Sequence, residues 1–256
     1  MAMEPQRSTG VSPAAKRTFL GVIAFMAATK LLLVALSVRG ILASQDVAFS
    51  WLSIGVLAAL GWGALFLAAR AGLPDLWDPA VSVRARFGVP ALLGVIFGAI
   101  QVLGDLGRTD ALSAFGGQLA RADIHKAFPI SLPFYLYGAV FAELLLRLIA
   151  MTLLFWMLGR VVLRGKKPLL AFWAANVVTS LLEVWPYIVA EVGDAPRLAK
   201  PGAVVHALMG PLFAANLVAG WLYRRSGFLA AVVLRGAVYL VWHIGYGSFR
   251  SFWNGL

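Results

Sequence analysis

The sequence has no cysteine and only three histidines, His125, His206 and His243, in 256 residues. The first absence removes disulfides, thiolate metal sites, iron–sulfur ligation and cysteine nucleophiles, and leaves the redox compartment open. The second leaves too few ligands for a multi-histidine metal cage, so neither a metal nor another cofactor is expected. Charge is scarce as well: Asp, Glu, Lys and Arg make up 13% of the chain, against about a quarter of an average soluble domain. With 61% hydrophobic residues and a mean hydropathy of +0.84, the chain has too little polar surface to cover itself in water. That excludes a secreted or cytosolic globular enzyme and defines an all-α, polytopic integral membrane protein. Acidic residues number 11 against 22 Lys and Arg, a net charge of +11. The bases lie mostly in loops between apolar runs, so the expected partner is the lipid bilayer and its anionic surface, with no nucleic acid. No internal repeat, Gly-rich phosphate loop, GxSxG elbow or HExxH pair is present, which removes the usual soluble nucleotide-binding and hydrolase signatures.

What is abundant is apolar sequence in long runs. A ~30 Å hydrocarbon core needs about 20 helical residues, and residues 18–38, 47–69, 132–162, 169–190 and 203–223 meet that length. Two shorter runs, 89–103 and 228–244, must either extend into their flanks or cross a thinned region. The expectation is seven helices. The first is read as an anchor, because it is longer than the ~7–15 apolar residues of a signal-peptide core. A basic, disordered tail is expected over 1–17, N-terminal helices and a polar insert over 18–131, a polar-core bundle over 132–247 and a short tail over 248–256. The insert carries an expected amphipathic helix over 109–127. With the N-terminus in the cytoplasm, inner segments hold twelve Lys and Arg and outer segments seven, which favours that orientation.

Ionisable residues inside the spans are the most informative part of the chain, because each costs a few kcal/mol on insertion scales unless it finds a partner or a water-filled cavity. Glu143 and Arg147 stand four apart on one face of the fourth span, the acid first, an order that suits an ion pair. Asn176, Ser180, Glu183 and Tyr187 form a polar stripe on the fifth span, and Arg235, Tyr239 and His243 form another on the seventh. Such faces must turn toward one another rather than toward lipid. The charges balance, two acids against two bases, which predicts the pairs Glu143–Arg147 and Glu183–Arg235. Lys30, mid-span in the first helix, is expected to pair with a buried Glu or to meet a ligand carboxylate, and His206 to sit at the interface. The seventh span has no Lys for a Schiff base, so seven helices do not make this a retinal protein.

The run Phe141-Ala-Glu-Leu-Leu-Leu-Arg147 resembles the first motif, Glu-Glu-x-x-x-Arg, of the CPBP family, the CAAX-protease and bacteriocin-processing (Abi) intramembrane glutamic proteases. Residues 172–187 look like that family's second-motif helix. Gly220-Trp-Leu-Tyr223-Arg-Arg-Ser-Gly227 is similar to its approach to the third motif, so the resemblance covers 132–247. The resemblance implies a membrane helical bundle in which a Glu and a His activate water while a His and an Asn stabilise the oxyanion. Residue by residue the chain departs from that chemistry. Ala142 stands at the first Glu; Pro186 or Tyr187, depending on register, at the second-motif His; and Arg235 and Tyr239 at the third-motif His and Asn.

Two functions follow. One is a non-catalytic, CPBP-like bundle that binds or helps assemble another membrane component, a protein helix or a lipid-like molecule, with Arg147, Asn176, Ser180, Tyr187, Arg235 and Tyr239 forming its polar core. Small residues such as Gly210, Ala214 and Ala215 would permit close helix approach. The other is an intramembrane endopeptidase with a rewired site drawn from Glu143, Glu183 and His243. The partner of Glu183 discriminates: Arg235 makes it structural, whereas His243 with an open water would make it a base.

Overall fold

The computed structural model describes residues 10–40, 50–113, 125–126, 128–193 and 201–249, with side chains placed for all of these except 107–113, 186–193 and 201–209. Among the described residues the chain forms seven helices and no strand: α1 (Pro13–Val38), α2 (Trp51–Ala71), α3 (Val89–Ser113), α4 (Ser131–Val162), α5 (Pro168–Gly193), α6 (Pro201–Ser226) and α7 (Phe228–Phe249). Six of them are long and apolar enough over their described residues to cross a membrane. The protein is therefore an all-α, polytopic membrane bundle.

Local chemistry explains where the helices begin and end. α1 starts earlier than the expected end of the tail because Ser12 caps it, its Oγ accepting from Ala15 N at 3.0 Å, and Pro13 supplies a preset φ in the first turn. Ser50 caps α2 in the same way through Ser53 N, and Gly72 ends it in the left-handed region. The two short runs resolve by extension rather than by thinning. A π turn at Arg84–Gly88 leads into α3, which continues to Ser113, and α7 continues to Phe249. Residues 109–113 of the expected amphipathic helix are thus the last turn of α3, because the Asp105–Ser113 segment is helix-compatible despite its polarity. The remainder, 114–124 and 127, lies outside the described residues, as does residue 1–9 of the expected tail. Gly227 alone separates α6 from α7, at φ +88°, and a Cβ there would stand 3.0 Å from Asp75 O.

The helices bury one continuous apolar core built from Phe19, Tyr137, Leu144, Leu148, Phe172, Tyr223 and Phe228 among others, while Leu52, Leu92, Leu103 and Trp185 face outward, as lipid-facing positions do. α3 packs most extensively on α7. The reason is Gly94-Val-Ile-Phe-Gly98, a G-x-x-x-G run that lets the two backbones touch: a Cβ on Gly94 would lie 2.4 Å from Leu234 O, and one on Gly98 2.7 Å from Val241 Cβ.

Candidate functional site

Four helices bring the ionisable residues into one buried network. Arg235, from α7, is the hub. Its Nε donates to Glu143 Oε1 on α4 at 2.5 Å, its Nη1 pairs with Glu183 Oε1 on α5, and its Nη2 donates to Glu183 Oε2 at 2.8 Å and to Asn216 Oδ1 on α6 at 2.7 Å. Arg147, fully buried on α4, sends Nη2 to both Asn216 Oδ1 and Asn216 O at 2.8 Å and Nη1 to Thr179 Oγ1 at 3.0 Å. Its Nε stands 3.5 Å from Glu143 Oε2, an ion-pair distance rather than a hydrogen bond.

Both expected ion pairs are present, with the emphasis altered. Glu183 pairs with Arg235 through two oxygens, the fork geometry that favours Arg for planar carboxylates. Glu143 makes its shorter contact to Arg235 rather than to Arg147 four residues on. The cause is the backbone: a π segment spans Leu144–Met151, so the turn carrying Arg147 is wider than an α-turn and swings the guanidinium toward α6. Thr152 reinforces that segment by donating to Arg147 O at 3.2 Å while sharing a 2.8 Å contact with Tyr223 OH.

Asn176 and Ser180 lie buried on the same side of α5 as Glu183; Asn176 Nδ2 donates to Leu217 O at 2.9 Å. Asn176 fits because Gly220 has no side chain: a Cβ there would fall 1.9 Å from Asn176 Oδ1. The side chains of Tyr187 and His206 lie outside those described. Lys30 is buried on α1.

The expected stripe Arg235–Tyr239–His243 divides between two places. A further π segment, Leu240–Tyr246, advances fewer degrees per residue than an α-helix and turns His243 away from the face of Arg235. His243 meets His125, Nδ1 to Nδ1 at 3.2 Å, and the far side of the His125 ring faces Asp105, Nε2 to Oδ2 at 3.2 Å. Tyr135 stacks on His243 with ring centres 4.2 Å apart, and Tyr239 abuts both rings. The Trp242 ring centre lies 4.0 Å from that of His243. Glu183 and His243, the two residues a rewired hydrolytic site would join, are thus engaged with different partners.

Sequence reasoning missed Asn216 and Thr179 in the network and Asp105 and His125 in the second cluster. Asn216 is a lone polar residue in an apolar run, and the intramembrane position of a lone amide is the signal that could have flagged it. Among the described residues no three His, Cys, Asp or Glu side chains are grouped to hold a metal. Compared with known proteins, the chain matches no family model, no curated protein and no solved structure.

Chemically, the network is charge-balanced but not fully hydrogen-bonded. Two guanidiniums and two carboxylates cancel, and Arg235 engages Glu143, Glu183 and Asn216, while Glu143 Oε2, Arg147 Nε, Asn176 Oδ1 and Ser180 Oγ are buried without a hydrogen-bond partner. Any reaction that used either carboxylate would first have to displace the Arg235 guanidinium from it.

Proposed function

We propose that this chain is a non-catalytic, CPBP-like membrane bundle whose polar core is a charge-paired brace, and that its role is to bind or help assemble another membrane component, a protein helix or a lipid-like molecule. The observation that carries this reading is the position of Arg235 between Glu143 and Glu183, which occupies both acids that a hydrolytic site would need. The replacements at Ala142, Arg235 and Tyr239 agree with it, since a general base and oxyanion donors removed together cost many orders of magnitude in rate. Gly210, on α6, has open space where a side chain would be, a position at which a partner helix can approach closely. The twelve-to-seven distribution of basic residues supports a cytoplasmic N-terminus, and the family resemblance supports a bacterial inner membrane.

The test is mild-detergent purification at native expression, followed by mass spectrometry of what co-purifies in fixed ratio. A stoichiometric membrane partner is the expected result. The reading is overturned if the purified protein cleaves peptides and Glu143→Gln or Glu183→Gln abolishes the cleavage, which would establish the rewired endopeptidase instead.

A further inference from the structure

The second buried cluster has no part in the charge-paired core. It lies at the end of the bundle where α3 finishes and α4 begins, against the second half of α7. We propose that Asp105, His125 and His243 form a proton-binding relay, which takes up one proton at His243 and holds it as the His125 imidazolium beside the Asp105 carboxylate.

The argument is a proton inventory. His125 and His243 face each other through the same kind of atom, Nδ1, at 3.2 Å. One of the two must donate and the other accept, so only one Nδ1 carries hydrogen. In the proposed relay the fully buried carboxylate of Asp105 is the acceptor, so that His125 Nε2 carries the hydrogen between them. With both rings neutral, His125 is therefore the Nε2–H tautomer and accepts at Nδ1, and His243 is the Nδ1–H tautomer. Its Nε2 is then a bare lone pair, and among the described residues nothing hydrogen-bonds it.

A proton from water adds at that lone pair. The N–H bond at His243 Nδ1 then breaks and one forms at His125 Nδ1, leaving His243 neutral as the Nε2–H tautomer. The positive charge ends on His125, one ring away from where the proton entered and 3.2 Å from Asp105. A carboxylate on the far nitrogen favours this outcome, since the imidazolium is stabilised where the opposite charge already sits.

The surroundings hold the rings in line. Tyr135, from α4, stacks on His243 within 3° of parallel, Trp242 packs on its other flank, and Trp242 and Tyr246 meet the His125 ring edge to face. A Cβ on Gly247 would lie 2.7 Å from His125 Nδ1, so this glycine admits the ring. The titratable groups around the pair are Asp105 from α3, Tyr135 from α4, and Tyr239 and Tyr246 from α7; Lys126 follows His125 and turns toward the Phe134 ring. Two ring nitrogens and no third ligand among the described residues make a metal a poorer match than a proton.

The test uses full-length protein carrying His206→Gln and 15N-labelled histidine, in lipid nanodiscs, with the ring nitrogens followed by NMR from about pH 8 to about pH 5. The expected result is one shared step: His125 becomes the imidazolium while His243 switches from the Nδ1–H to the Nε2–H tautomer. Asp105→Asn should lower proton affinity at least about tenfold, moving the midpoint down by about one pH unit. Separate steps for the two rings, an imidazolium on His243, no uptake across the range, or an unmoved midpoint in Asp105→Asn would each overturn the relay. The tautomer switch needs no variant at the site, so the proposal stays testable even if Asp105→Asn fails to fold.

Discussion

Replacing Arg235 with Met keeps an unbranched, flexible stem and deletes the central charge of the core. At an effective dielectric near 20, opposite charges about 4 Å apart attract by about 4 kcal/mol, and Arg235 makes two such pairs, with Glu143 and Glu183. It also stands close to Arg147, since both donate to Asn216 Oδ1; at roughly 5–6 Å that repulsion is about 3 kcal/mol. Deleting the guanidinium thus forfeits about 8 kcal/mol of attraction and relieves about 3, a gross loss of about 5 kcal/mol. That agrees with the ~3–5 kcal/mol seen when one partner of a buried pair is removed. Reversible unfolding in mixed micelles measures this loss. Arg235→Met with Glu183→Gln, which leaves Glu143 to Arg147, should recover at least half of the loss. A single-variant loss below about 1 kcal/mol, or one indifferent to the second substitution, would refute the idea that charge pairing holds the core.

Three further outcomes follow from the same geometry. Asn216→Leu removes the one oxygen that accepts from both Arg147 and Arg235 and should cost about 2–4 kcal/mol, because two buried donors lose an acceptor; unfolding in the same micelles reads it. Gly220→Ala should destabilise by about 1–3 kcal/mol through its clash with Asn176, and the double variant with Asn176→Ala should be no worse than Asn176→Ala alone, a non-additivity that a double-mutant cycle detects. Thr152→Val strands the buried Tyr223 hydroxyl at a cost of about 1–3 kcal/mol, and Tyr223→Phe in the same chain should restore most of it, as melting temperatures of the set would show.

How much of this could be read beforehand depended on whether a residue's constraint was local. Seven helices were legible because the bilayer demands apolar runs of fixed length, and each run is a property of contiguous sequence. The ends were less so: the apolar run of the third span stops at residue 103, yet α3 continues through Asp105 to Ser113, and His125 gives that carboxylate a buried partner. The Glu183–Arg235 pair was legible across 52 residues because charge in a membrane must sum close to zero, and four charges allow few pairings. Asn216 escaped because a neutral amide enters no such sum, although it is the acceptor that both arginines share.

Two of the four π segments among the described residues show why helical spacing alone misplaces side chains here. Counting by fours puts Arg147 under Glu143 and His243 under Arg235, and both inferences assume 3.6 residues per turn. Between Leu144 and Met151, and again between Leu240 and Tyr246, the helix widens, so residues beyond those points leave the face that the count assigns them. Arg147 reaches α6 and His243 reaches the segment before α4 for the same reason. The widening therefore separates what one regular helix face would have merged. It keeps His243 off the charge-paired core, where the carboxylates are already engaged by Arg235, and sets it against His125 and a buried acid of its own. One α7 stripe thus serves two clusters, a charge-paired one that braces four helices and an Asp–His–His chain proposed to change by a single proton.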